Sequence, residues 1–306
     1  MENNAKMEIT KENNGVCFNE QAHVYFEKSN PDDRYISVTT LIHKFTPEFD
    51  ANFWSSYKAL VDLSGPDFPF DIKKRLLSTK KFDNKLLEIL DIDTEKFQEV
   101  KDTYIKTWEE NKNKACERGT KIHLEKELGF YDNPKHERYN FLKLSGEYKC
   151  EPGYMKLDVD RAIYPEFLIS HRFDDILKIA GQIDILVKEG NEISIGDWKT
   201  GRELKFKSGY DPATKKTQKM LPPLNHLDDC NMNHYALQLS TYAYLLKTIR
   251  PEFTIKRLVI YHIDHDGNET THEVKYLEKE VKDMLKYYRK QLVKDKRDRE
   301  RQPIKY

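Results

Sequence analysis

The period of the apolar positions changes along the chain, and each change marks an element. After a polar start, "HVYFEK" and "YISVTTLI" alternate or run apolar on either side of the turn-rich "SNPDD", which predicts an N-terminal hairpin. From about residue 50 to about residue 130 the pattern is helical. There Phe97, Val100, Tyr104 and Trp108 recur at steps of three and four and predict one buried stripe. From Tyr164 to Thr200 the period falls to two, and "EFLIS", "LKIAGQIDILV" and "EISIGDWK" read as three successive strands. A polar, lysine-bearing linker leads to a helix over "NHYALQLSTYAYLLKTI". A strand over "IKRLVIYHID" and a closing helix over "EKEVKDMLKYYRKQLVKDKRDRER" follow. No internal repeat is visible, and the order of elements predicts a mixed α/β protein around a small sheet.

Length and charge narrow the reading. The 306 residues suit one large decorated domain, expected over 16–295, with a loose tail at 1–15 and a basic tail at 296–306. A helical region is expected at about 50–115 and the core at about 115–280. Lysine plus arginine equals aspartate plus glutamate at 52 each, so any surface for a polyanion must be local. Cys17, Cys116, Cys150 and Cys230 stand far apart without the paired spacing of a zinc or iron–sulfur site, and read as reduced. The start lacks the apolar core of a signal peptide, no long apolar run follows, and the expected location is the cytoplasm, with no membrane partner.

The chemistry concentrates in "GQIDILVKEGNEISIGDWKT". A two-residue turn at Gly190 and Asn191 sets Asp184 directly opposite Asp197, Leu186 opposite Ile195 and Gln182 opposite Lys199. Opposed residues share a face about 5 Å apart at Cβ, where two bare carboxylates repel. A divalent cation turns that repulsion into ligation, and hard oxygen donors suit Mg2+ or Mn2+. Alternation places Asp197 and Lys199 on one face and Trp198 on the other, so the lysine points toward the substrate of that metal. There it can stabilise charge on a phosphate or assist deprotonation of an attacking water. On helices, Gly119 shares a face with His123, and Gln238 with Tyr242, with His234 one turn earlier.

Taken in order, the G-x-x-x-H of "GTKIH", G-x-x-D of "GQID", D-x-K of "DWK" and Q-x-x-x-Y of "QLSTY" resemble the RecB-like branch of the PD-(D/E)XK nuclease superfamily over about residues 115–245. The "SVTTLI" stretch further resembles phage-encoded and mitochondrial-type single-strand exonucleases of that branch. The resemblance implies a restriction-endonuclease-like α/β core, a central mixed β-sheet flanked by helices, preceded by a helical region. It implies that His123, Asp184, Asp197 and the Trp198 carbonyl ligate the metal, with Glu166 at a less uniform acidic position. It implies that Lys199 is catalytic and that Gln238 and Tyr242 orient it and hold the nucleic-acid backbone.

The implied reaction is metal-dependent hydrolysis of DNA phosphodiester bonds, from ends of single strands, in phage or bacterial replication, recombination or repair. A structure-selective endonuclease of the same superfamily and a non-catalytic DNA-binding or virion component are the alternatives. The branch's iron–sulfur cysteines are missing here, and no G-x-x-x-x-G-K-[ST] occurs, so a helicase or recombination partner would be a separate chain. The helices before His123 are expected to cover the site, with Trp54, Tyr57 and Trp108 as stacking surfaces for bases. The lysine-rich linker at 200–234 and Lys286, Arg289, Lys290 and Lys294 of the closing helix are expected to add phosphate attraction.

Overall fold

The computed structural model describes residues 11–132, 148–154, 156–211 and 215–301. In chain order its first elements are β1 (Lys11–Asn13), β2 (Val16–Asn19), β3 (Val24–Glu27), β4 (Asn30–Ser37), α1 (Val38–His43), α2 (Ala51–Ser64), α3 (Phe70–Thr79), α4 (Lys85–Ile89) and α5 (Thr94–Asp132). Then come β5 (Lys149–Cys150), β6 (Arg161–Arg172), β7 (Lys178–Glu189), β8 (Glu192–Thr200), β9 (Tyr210–Asp211) and β10 (Lys216–Thr217). The last are α6 (Asn231–Ile249), β11 (Thr254–Ile263), β12 (Glu269–Glu273) and α7 (Glu278–Arg301). They form two compact units, one of residues 1–46, 121–207 and 219–306, the other of residues 47–120 and 208–218.

A mixed ten-stranded sheet with flanking helices builds the first unit, as the resemblance implied. β1 to β4 form an antiparallel meander, and β4 then runs parallel to β7. β7 is antiparallel to β6 along one edge and to β8 along the other. Beyond β8 lie β11, parallel, and β12, antiparallel. One sheet face packs on α1, α6 and α7 through Leu41, Leu237, Tyr242, Leu246, Val281 and Met284. The other gathers Trp198, Ile185, Val187, Val259 and Tyr261 around Phe130 of α5. Each fully buried aliphatic side chain there contributes about 1.5–3 kcal/mol.

The strand pattern breaks phase on β6 and β7. Ala162 and Tyr164 share a face with Phe167 and Ile169, and Ile179 and Ile183 share it with Leu186, while Ile163 and Ile185 face the other way. Strict alternation would have kept one parity along each strand. The phase changes between Tyr164 and Phe167 on β6 and between Ile183 and Leu186 on β7, where Glu166 adopts the left-handed φ of 48°. Gly153 lies against this break. A Cβ there would stand 2.2 Å from the Pro165 carbonyl oxygen and 2.4 Å from that of Glu166.

Several expectations change. "VTTLIH" is helix α1 rather than strand, because Ser37 ends β4 and its hydroxyl accepts from Thr40 N at 3.0 Å as an N-cap. Lys11–Asn13, expected in a loose tail, pair with β2. Helix α7 runs Glu278–Arg301, the span expected for the closing helix, and so includes the first residues of the stretch set apart as a basic tail. β12, invisible in its polar sequence "ETTHE", is held by pairing with β11.

The second unit has its own core, with Phe53, Ala59, Leu60, Ile72, Leu76, Leu86, Leu87 and Phe97 buried. Asp50 caps α2 by accepting from Phe53 N at 2.8 Å. Of the expected α5 stripe, Phe97 is buried, whereas Val100, Tyr104 and Trp108 are half-buried. Trp54 and Tyr57 pack against this core and against each other, and Lys80 Nζ lies 4.2 Å from the Trp54 ring. Trp108 meets Phe49 edge-on. All three rings expected to stack on bases have aromatic neighbours and are half-buried. No described helix is long and apolar enough to cross a membrane.

Candidate active site

The turn at Gly190 positions the site by setting register. Gly190 has a φ of 58° at the first central position, the glycine demand of a II′ hairpin, and Glu189 pairs with Glu192 around it. The register then runs as expected to Leu186 opposite Ile195 and Ile185 opposite Gly196. There it stops. Asp184 and Asp197 are not a ladder pair, nor are Gln182 and Lys199, because β7 and β8 part beyond Gly196. From Asp197 to Thr200 β8 pairs only with β11, which places Lys199 opposite His262.

The opening is a fork in the sheet. β4 covers the same edge of β7 at Ile179 and Ala180, and β8 resumes at Ile185. Between them Gly181 to Asp184, the "GQID" stretch, have no partner strand on that edge among the described residues. The Asp184 carboxylate bridges the fork by accepting the Trp198 N–H at 2.7 Å. This replaces the ladder bond lost when the strands diverge. Gly181 admits Tyr242: a Cβ there would lie 2.7 Å from the Tyr242 ring.

Three side chains from three elements converge at Asp184. His123 of α5, Glu166 of β6 and Asp184 of β7 each offer a ligand atom, all within 4.8 Å of one another. His123 Nδ1 lies 3.5 Å from Glu166 Oε1 and 3.6 Å from Asp184 Oδ2. Its Nε2 lies 3.2 Å from the Trp198 carbonyl oxygen, so that carbonyl faces the histidine while the indole is buried in the cluster that holds Phe130 and Tyr261. Asp197 is beside this set rather than in it. Its Oδ1 accepts from Gln238 Nε2 at 3.0 Å, and its Oδ2 lies 2.6 Å from Lys199 Nζ without the alignment of a hydrogen bond.

Burial and like charge govern the electrostatics. Asp197 is pushed up to about 7 by burial and by the Asp184 charge, against the pull of Lys199. Asp184 is likewise raised, chiefly by burial, although His123 opposes it. His123 rises to about 9, first because of Asp184 and then, against burial, because of Glu166. Burial works against the Lys199 ammonium, but Asp197 and Asp184 hold its pKa above the ordinary lysine value. A proton on His123 therefore occupies the place between carboxylates that a cation would take.

The donor set suits a hard divalent cation: two carboxylates, one imidazole and a backbone carbonyl. Gln238 and Tyr242 do lie together here. Gln238 Nε2 also donates to the Tyr242 hydroxyl at 3.3 Å, and both side chains are buried. His234 is elsewhere, paired with Asp229 at 2.7 Å. Gly119 belongs to the second unit.

Two tyrosines escaped the sequence reading. Tyr25 of β3 is buried, and Glu166 and Asp184 help raise its phenol pKa. Lys199 Nζ lies 4.9 Å from the centre of the Tyr235 ring. Tyr235 stands one helical turn before Gln238, so the α6 spacing could have found it. Nothing local marks Tyr25, which packs with Phe18, Leu168 and Ala180.

No curated protein matches the chain. Among solved structures, SSO0001 aligns at a TM-score of 0.36 and 13% identity over 84% of this chain and 75% of its own. A protein named "Putative exonuclease" from Eubacterium rectale aligns at 0.35 and 10% identity over 89% of this chain and 90% of its own. The model of the PD-(D/E)XK nuclease superfamily matches residues 74–305, more than half of the sequence. With its family match spanning the cluster, the fork and α6, the chain belongs to the PD-(D/E)XK nuclease superfamily.

Proposed function

We propose that this protein is a divalent-metal-dependent deoxyribonuclease that degrades single-stranded DNA from an end. The observation that carries the metal-dependent reading is the convergence of His123, Glu166 and Asp184 within 4.8 Å, with Lys199 ion-paired to the adjacent Asp197. His123, Glu166 and Asp184 would hold Mg2+ or Mn2+, with Asp197 and the Trp198 carbonyl at its border. Such an ion would supply Lewis-acid polarisation of a phosphoryl oxygen and a more acidic bound water. The order of the four motifs around this cluster supports the RecB-like branch.

The chain's own groups have distinct roles in this reading. Lys199 cannot ligate a metal while protonated, and its charge stabilises the anionic phosphate as hydrolysis proceeds. Asp197 anchors that ammonium. Gln238 holds one Asp197 oxygen through its amide and leaves the other to Lys199. The Tyr235 ring restricts Lys199 from the α6 side. Tyr242, seated against Gly181, fixes Gln238. Water supplies the hydroxyl that forms the new P–O bond, and the leaving oxygen takes a proton as the old bond breaks.

End-labelled linear DNA and closed circles, each single- and double-stranded, test the proposal with Mg2+ or Mn2+. Linear single strands should shorten to small products while circles survive. Rapid cutting of single-stranded circles would replace end-dependent action with the structure-selective endonuclease reading. Absence of cleavage under all conditions, with DNA still bound, would favour the non-catalytic alternative. A pathway in phage or bacterial replication, recombination or repair, with a separate helicase or recombination protein as partner, is the setting the resemblance suggests.

A further inference from the structure

The last sixteen described residues of α7, from Lys286 to Arg301, carry eight cations and three acids in a chain whose overall charge is zero. At 100° per residue, Lys286, Lys290, Lys294, Arg297 and Arg301 fall within one narrow arc. All five are exposed. The buried residues Val281, Met284, Leu285 and Tyr288 lie on the opposite arc, facing α6 and the sheet. No acid of this stretch falls within the cationic arc, and none of the five forms an ion pair among the described residues. This contrasts with Lys279, Lys282 and Arg289, which are paired with Asp283, Glu278 and Asp174.

Stability does not account for such a stripe. Five like charges at i, i+4 and i+3 steps repel one another, and a solvated helix face ordinarily alternates sign. The stripe extends about 22 Å at the helical rise, and a linear polyanion offers charges over that distance. A bilayer surface fits less well, because an interfacial helix needs a free apolar face and α7 uses its own in the core.

We infer that Lys286, Lys290, Lys294, Arg297 and Arg301 form a phosphate-tracking surface for nucleic acid, distinct from the catalytic fork. The choice of nucleic acid over other polyanions rests on the nuclease reading. α7 packs on the same sheet face as α6 but supplies no residue to the metal-ligand cluster. Its function is to hold a strand longer than the fork can hold, raising the local concentration of substrate without touching the reacting phosphate. Such contact is sequence-independent and depends steeply on salt.

The test is the full chain with all five positions changed to Gln, compared with wild type and with a control carrying Lys279→Gln and Lys282→Gln. Thermal denaturation checks folding, and binding to long and very short single-stranded oligonucleotides is measured across salt concentrations in Ca2+. The five-fold variant should bind long strands at least tenfold more weakly. Its slope of log affinity against log salt should fall by about 0.7 for each lost phosphate contact. Binding of the very short oligonucleotide, and its cleavage rate in Mg2+, should be unchanged.

Long-strand affinity and salt slope equal to wild type in a folded variant would overturn the inference. An equal loss in the control would also overturn it, showing an effect of net charge only. So would charge-dependent binding to phosphatidylserine vesicles with DNA binding intact. If the stripe governs DNA binding but wild type cleaves nothing, this inference stands and the nuclease proposal falls.

Discussion

Asp184 meets three demands with one carboxylate: it accepts the Trp198 N–H, faces His123 and completes the Glu166 cluster. Asp184→Ala should cost at least about 4 kcal/mol of transition-state stabilisation, about a thousandfold in cleavage rate, and should weaken metal binding. Undiminished cleavage by the purified variant would remove Asp184 from the site. Lys199→Ala should lower kcat by about a hundred- to a thousandfold yet leave metal titration by calorimetry unaltered. Normal turnover with normal metal affinity would refute its catalytic role. Glu166 permits a different measurement, since its φ of 48° costs a non-glycine residue about 1–2 kcal/mol. Gly at position 166 should therefore melt higher than Ala there, reversing the usual strand preference, and both variants should bind metal weakly. An Ala variant as stable as the Gly variant would contradict the strain.

At the scale of elements, the site exists because β7 is shared. β4 and β8 occupy successive lengths of one edge, and the uncovered interval between them contains Gly181 and Asp184. The strand hydrogen bonds missing there are partly recovered by the Asp184 side chain. Close packing of α6 makes Gly181 a sensitive position, because a Cβ would meet a ring that is itself buried. Gly181→Ala should lower stability by about 1–3 kcal/mol, and Tyr242→Leu in the same chain should recover much of that loss. Denaturant titration of both single variants and the double variant decides this. Strict additivity would place the origin of the loss elsewhere. The expectation of opposed aspartates was right about register as far as Ile185 and Gly196, but it assumed that pairing continued.

For the whole molecule, the ionisable cluster links folding, metal and pH. His123, raised to about 9 from 6.5, contributes stability that is complete below the unfolded value and lost as pH rises through the folded one. Asp197, raised to about 7 from 3.8, favours the protonated form, so the folded state loses stability as pH climbs between those values. Both shifts therefore make the metal-free protein less stable at higher pH. A cation requires neutral imidazole and ionised carboxylates and must displace the protons, so its affinity rises over the same interval. The increase in Tm produced by Mg2+ should grow from about pH 6 to about pH 9 and should nearly vanish in Asp184→Ala. A Mg2+ effect that is flat with pH in wild type would count against His123 as a ligand.

The sequence by itself determined the elements whose pattern is local. Alternation located β6, β7 and β8, the glycine at position 190 set the hairpin, and the helical periods of α5, α6 and α7 were visible. Motif order was enough to bring His123, Asp184, Lys199, Gln238 and Tyr242 into one reading, because each motif resides within a single element. Tertiary structure decided what depends on strand neighbours distant in sequence. It made "VTTLIH" a helix through the Ser37 cap and gave the polar β12 a partner. It also shifted the phase of β6 and β7 at Glu166 and brought Tyr25 from the N-terminal meander. Above all, it decided that Asp184 and Asp197 stand on diverging strands, the former beside His123 and Glu166 and the latter beneath Lys199. A period of two fixes faces only while a strand stays paired, and the fork is where pairing ends.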